Sequence, residues 1–273
     1  MLRLYDAHNH LQDERLSPVR ESVLRDLVVQ NVAGIVVNGS GEDDWSDVLS
    51  LALKYPMVLP SFGVHPWYVK EQSSSWYTTL VRCLDAVPSA IGEVGLDRWV
   101  KNHDLPLQEK FFQAQLKLAS ERNLPVSIHC LQAWGRLLEL LHNGPVPRCG
   151  FLLHSFGGPR EMISSLAELG AYFSLPGYFA HPRKDKQREA FRHVPPDRLL
   201  IETDAPDQLL PTERADYQLR DERSGRDLNH PANIGAVYRF AAELIGEPLE
   251  AISSRVEQNF FRLFSGVLVA RRQ

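Results

Sequence analysis

The sequence predicts an α/β protein built as a TIM-type (β/α)8 barrel. Three observations carry this: short apolar runs that recur eight times, helix-length amphipathic segments between them, and ligand-type side chains gathered where the runs end. Strands joined by helix-length crossovers pair in parallel, and eight such units within 273 residues suit closure into a barrel. A doubly wound open sheet is the alternative.

In order along the chain, residues 2–7 form the first strand. Ser17 is placed to cap, and Pro18 to open, a helix over residues 19–30. Residues 34–38, 58–63 and 90–92 supply the next three strands. Residues 107–123 read as a helix, because Leu107, Phe111, Ala114 and Leu118 recur at three-to-four spacing and Phe112 and Leu116 widen the stripe. Strands over 125–128, 150–153, 171–174 and 199–202 complete the set. Residues 207–230 are polar and read either as a long active-site loop or as a disordered insert. Helices over 234–245 and 249–264 follow. With no fixed-period repeat, low-complexity tract or Pro/Gly-rich linker, residues 1–273 are expected to form a single domain.

Composition narrows the function. Thirty Lys and Arg against 34 Asp and Glu leave a net charge of −4, which argues against coating nucleic acid or membrane by bulk charge. Cys83, Cys130 and Cys149 are widely separated and contain no CxxC pair, so neither a disulfide framework nor a cysteine zinc knuckle is expected. No signal-peptide pattern and no apolar run of membrane-spanning length is visible. A cytoplasmic protein with no membrane contact and no obligate protein partner is the expectation.

The chemistry gathers at the strand ends, where a barrel places its catalytic face. His8 and His10 end the first run, Glu93 the fourth, His129 the fifth and His154 the sixth, and Asp204 ends the eighth. His65 follows the third. Residues two apart on a strand point the same way, so His8 and His10 can converge on one point. Imidazoles joined by a carboxylate from another strand make a divalent-cation site with positions open to water. Each residue also has an ordinary reading: Glu93 as a helix cap or ion-pair partner, and His65, before Pro66, as a turn residue. Alternation puts Glu202 and Asp204 on the same side, and Asp204 is preferred as nearer the loop.

With these residues in view, the chain resembles the TatD family of metal-dependent deoxyribonucleases, relatives of the amidohydrolase barrels. The likeness runs in order through Asp6-Ala-His8-Asn-His10, Gly63-Val-His65-Pro66, Ile91-Gly-Glu93-Val-Gly95-Leu-Asp97, Pro125-Val-Ser-Ile-His129-Cys130, His154-Ser-Phe-Gly157, Ile201-Glu202-Thr-Asp204-Ala-Pro206 and Asn259-Phe-Phe-Arg-Leu263-Phe264. It implies a TIM-type barrel with two divalent metal ions at its C-terminal mouth. It further implies that His8, His10, Glu93 and Asp204 hold one ion, and that Glu93, His129 and His154 hold the other, with Glu93 bridging. Catalytic roles would fall to Asp204, acting on the attacking water, to Glu93, and to His65, contacting a phosphate oxygen. Imidazole-rich ligation favours Zn²⁺ or Mn²⁺, and the family likeness admits Mg²⁺.

The implied activity is two-metal hydrolysis of DNA phosphodiester bonds, including exonucleolytic trimming of a strand end. A second reading keeps the ions but makes the substrate a small amide, ester or lactone, and a third is a non-catalytic metal-binding protein. The sequence departs from the family where Cys130-Leu131-Gln132 replaces a small residue followed by Arg-Asp, where Ser155-Phe156-Gly157-Gly158 follows the sixth-strand histidine, and at Leu228-Asn229-His230-Pro231. These changes bear on how a substrate is gripped and leave the proposed ligands untouched. Trp99 and Tyr178, each a few residues past a strand end, are the better candidates for stacking against bases, ahead of Trp67, Tyr68 and Trp134. The basic residues between Arg183 and Arg192, and Arg220, Arg223 and Arg226, can contact phosphates. Interleaved Asp185, Glu189, Asp221 and Glu222 favour a solvated, mixed-charge face there.

Overall fold

Eight parallel strands stand side by side in chain order, each returned to the same end by a helix-bearing crossover. In the computed structural model, which describes residues 2–271, the alternation runs β1 (Leu4–Asn9), α1 (Arg20–Val29), β2 (Val32–Asn38), α2 (Trp45–Lys54), β3 (Val58–Phe62), α3 (Trp76–Ala86) and β4 (Ala90–Asp97). It continues with α4 (Leu105–Arg122), β5 (Val126–Leu131), α5 (Trp134–Asn143), β6 (Phe151–Leu153), α6 (Ile163–Glu168), β7 (Ala171–Pro176), α7 (Asp185–Phe191) and β8 (Leu199–Glu202). A small hairpin, β9 (Leu219–Arg220) with β10 (Asp227–Leu228), precedes α8 (Ile234–Ile245) and α9 (Leu249–Ala270).

The strands are buried almost end to end, as parallel strands with both faces covered must be. Closure of β8 onto β1 falls at the carboxyl end of β1 and just past β8. Asp204 N donates to His8 O at 3.0 Å and His10 N to Ala205 O at 2.8 Å. The fully buried Asp6 carboxylate staples this seam: Oδ1 accepts from Thr203 N at 3.0 Å and His8 N at 3.2 Å, and Oδ2 from Thr203 Oγ1 at 2.6 Å and Asn9 Nδ2 at 3.0 Å. At the β4–β5 contact, Gly95 (φ 150°) lets the chains approach, since a Cβ there would stand 1.9 Å from the His129 carbonyl oxygen.

Several boundaries differ from the sequence reading. The first helix begins at Arg20 without a side-chain cap, and the Ser17 hydroxyl instead accepts from Arg20 Nη2 at 2.9 Å. The fourth strand does not stop at Gly92. It runs to Asp97 because Gly95, Leu96 and Asp97 pair with His129, Cys130 and Leu131 on β5, so Glu93 and His129 lie within strands rather than after them. Helix α4 starts at Leu105, with Asp104 Oδ1 accepting from Leu107 N at 3.1 Å. Helix α9 extends past Phe264 to Ala270, as Val267 continues the buried stripe of Val256, Phe260 and Leu263. Residues 207–230 are ordered: they fold into the hairpin and a short turn over Thr212–Arg214, anchored by buried Leu210 and Leu228. Among the described residues, no helix is long and apolar enough to cross a membrane.

Candidate metal centre

Parallel pairing carries the carboxyl ends of all eight strands to one rim, and the polar residues singled out in the sequence meet there. Glu93, on β4, lies at the middle. Its Oε2 is 3.2 Å from both His8 Nε2 and His10 Nε2. Its Oε1 is 2.9 Å from His154 Nε2, 3.0 Å from His129 Nδ1 and 3.4 Å from His65 Nε2. Asp204 Oδ1 stands 3.5 Å from Nε2 of both His8 and His10. All six predicted ligands and His65 therefore converge, with the two Glu93 oxygens turned toward different histidine pairs.

For His10, His129 and His65, hydrogen bonds made by one ring nitrogen decide whether the other faces the cluster as a lone pair or as a donor. His10 Nδ1 is 2.8 Å from the Asn38 carbonyl oxygen, which can only accept, so His10 Nε2 is unprotonated in the neutral ring. His129 Nε2 donates to Asp97 Oδ2 at 2.9 Å, leaving Nδ1 bare toward Glu93. His154 turns Nδ1 toward Glu202 Oε1 at 3.6 Å and Nε2 inward. His8 Nδ1 meets Ser127 Oγ at 2.8 Å. His65 is the opposite case. Its Nδ1 accepts from Trp67 N at 3.2 Å, so its neutral ring carries the proton on Nε2 and presents a donor.

The electrostatics call for positive charge. Burial raises the Glu93 carboxyl, but His154, His65 and His8 outweigh it and hold the group well below the usual carboxylate range. Burial opposes charge on His10 and His154, yet Asp204 and Glu93 push the first, and Glu93 and Glu202 the second, well above the usual imidazole range. Burial takes His65 down to about 4 and also lowers His8. Asp97 is held at about 2, where bonds from His129 and Trp67 overcome its burial.

A donor set of this kind fits divalent ions. Metal–ligand bonds of about 2.1 Å put neighbouring donors roughly 3.0–3.4 Å apart in octahedral or tetrahedral geometry. The 2.9–3.5 Å separations around Glu93 and Asp204 match that spacing. Two triads that each bring one atom within 4.8 Å of the others, His8–His10–Asp204 and His65–Glu93–His129, overlap this arrangement, and a third combines His8 and His154 with Glu202.

The backbone sets Glu202 and Asp204 apart. Strand β8 ends at Glu202, and Asp204 takes φ 52°, so simple alternation fails between them. Asp204 enters the cluster, while Glu202 accepts from the hydroxyls of Ser155 and Ser174 behind His154. Sequence reasoning missed the supporting groups Asp97, Ser127, Asn38 and Gln208. Gln208 Nε2 holds Asp204 Oδ2 at 2.6 Å. Asp97 was legible in principle, four residues beyond Glu93 and so on the same face of one extended strand. Cys130 is buried, its thiol pushed up by burial, and takes no part in the cluster.

A parallel barrel with a histidine–carboxylate cluster at its carboxyl rim has the form of a barrel hydrolase. The chain belongs to the family of TatD-related DNases, whose family model matches residues 5–265. It is 28% identical to the uncharacterized metal-dependent hydrolase YjjV of Escherichia coli K12, covering 96% of this chain and 98% of that one. It is 31% identical to the 3'-5' ssDNA/RNA exonuclease TatD of Citrobacter koseri, with 96% and 98% covered. The crystal structure of YjjV superposes with a TM-score of 0.86 over 96% of this chain and 98% of that one. A TatD-family hydrolase from Entamoeba histolytica, 19% identical, shares the fold at a TM-score of 0.84 over the same shares of the two chains.

Proposed function

We propose that this protein is a two-metal hydrolase that cleaves DNA phosphodiester bonds, acting on single strands from an end. One observation carries the reading: Glu93 turns its two carboxylate oxygens toward two separate sets of donors. His8, His10, Glu93 and Asp204 would hold one divalent ion, and Glu93, His129 and His154 the other. His65 faces the same cluster, but its Nδ1 is taken by the Trp67 amide and its Nε2 presents a donor, so it is read as a substrate contact rather than a ligand. The names of the relatives, a metal-dependent hydrolase and single-strand exonucleases, support both the chemistry and the substrate class.

When bound, such ions lower the pKa of water and offset the charge that grows on the attacking and departing oxygens. The chain's own residues do the rest. Asp204, fixed through Oδ2 by Gln208, orients the attacking water and accepts its proton. His65, kept neutral by burial, donates from Nε2 to a phosphate oxygen. Imidazole-rich ligation favours Zn²⁺ or Mn²⁺ over Mg²⁺.

The test uses metal-depleted protein, resupplied with Mn²⁺, Mg²⁺ or Zn²⁺, on end-labelled single- and double-stranded DNA beside a panel of small esters. Ion-dependent shortening of the single strand, with two ions per chain by elemental analysis, is the expected result. Hydrolysis of esters alone, or no cleavage under any loading, overturns the reading.

A further inference from the structure

Asp97 holds more than His129. The oxygen that meets His129, Oδ2, also accepts the indole N–H of Trp67 at 2.7 Å, and Oδ1 accepts the backbone N–H of Trp99 at 2.6 Å and of Val100 at 3.0 Å. Buried Gln108, on α4, locks the same corner. Its Oε1 accepts from Asp97 N at 2.9 Å, and its Nε2 donates to the carbonyl oxygens of Asp97 at 3.0 Å and Pro66 at 3.3 Å.

Both tryptophans nevertheless keep open faces, Trp67 at 42% exposure and Trp99 at 62%. Trp67, held through its indole N–H, and Trp99, held through its backbone amide, both leave flat apolar surface in water beside the rim. Trp67 packs edge-on against His65, with ring centroids 5.0 Å apart, so its plane is fixed relative to the cluster. Arg98 and Lys101 flank Trp99, are exposed, and have no ion pair among the described residues. Tyr178, the other aromatic expected to stack, differs: its hydroxyl accepts from Arg183 at 2.8 Å, and Arg183 and Lys184 lie over its ring at 5.1 and 4.6 Å.

We propose that Trp67 and Trp99 form a stacking platform for an unpaired base of the nucleic-acid strand, with Arg98 and Lys101 meeting its phosphates. This rests on the nuclease reading and names the residues that grip the substrate. Bases within a duplex hide their faces in the stack, so such a platform favours single strands and frayed ends. By tying the Trp67 indole and the Trp99 backbone to His129 through one carboxylate, Asp97 places the platform beside the cluster.

Two measurements test this. Tryptophan emission of the metal-loaded Asp204→Asn protein is titrated with short oligothymidylate and with a strand of equal length lacking bases; quenching by the first and not the second is expected. Steady-state cleavage of both strands is then compared in the wild-type and Trp99→Ala proteins. With bases present, Trp99→Ala should raise KM roughly 5- to 100-fold and leave kcat within a few-fold. The loss caused by Trp99→Ala and the loss caused by removing the bases should not add. Equal quenching by both strands, an unchanged KM or additive losses overturn the platform. If no strand is cleaved with any ion, the nuclease reading fails, whereas the emission titration still decides whether the indoles bind bases.

Discussion

Asp97 Oδ2 stands 2.9 Å from His129 Nε2, on the opposite side of the imidazole from Glu93. This pairing fixes both the tautomer and the angle of the ring, so that Nδ1 is the nitrogen offered to the cluster. Asp97→Asn should therefore weaken ion binding by about 10- to 100-fold with the fold retained. Calorimetric titration with Mn²⁺ checks it; unchanged affinity would mean that His129 is oriented by packing alone.

Glu93→Gln removes the charge that both halves of the cluster share. Loss of tight binding of both ions is expected, with ion content by elemental analysis falling together with kcat. Retention of two tightly held ions would show that Glu93 does not bridge.

Asp204→Asn is expected to lower kcat by at least roughly 100-fold, the scale of a lost general base. The thermal midpoint of the metal-free protein should stay near that of the wild type. A variant of normal turnover would refute the role assigned to Asp204.

Loading the site should release protons. His10 and His154 sit well above the usual imidazole range without a cation, so each carries a proton near neutral pH that an ion must displace. Apparent affinity should thus rise with pH through the neutral range and fall as the solution is acidified. Calorimetry in two buffers of different ionisation enthalpy measures the protons released, and identical heats in both would contradict the expectation.

Removing the Asp6 carboxylate leaves buried donors on Thr203, His8 and Asn9 without their acceptor at the barrel seam. Asp6→Ala should cost about 2–4 kcal/mol of stability, read from the urea midpoint of the metal-free protein. A change below about 0.5 kcal/mol would show that the seam closes through backbone bonds alone.

The barrel and the seven inward-facing residues were legible because both follow short-range rules. Apolar runs mark buried strands, helix-length spacers force parallel pairing, and parallel pairing carries every run's polar end to one rim. His8 and His10 follow from strand alternation alone. The ordering of residues 207–230 was not legible, since a polar stretch shows nothing of the two leucines, Leu210 and Leu228, that anchor it.

Strand alternation and parallel pairing were enough to foresee that His8, His10, His65, Glu93, His129, His154 and Asp204 meet at one rim, though not the groups that support them. How each is presented came from contacts distant in the chain: the preferred Asp204 reaches the cluster through a backbone turn at φ 52°, His65 is a donor through the Trp67 amide, and His129 is turned by Asp97. The reason is physical. Strand periodicity acts between neighbours in the chain, whereas tautomer, ring angle and carboxylate orientation are set by hydrogen bonds to groups that sequence distance does not reveal.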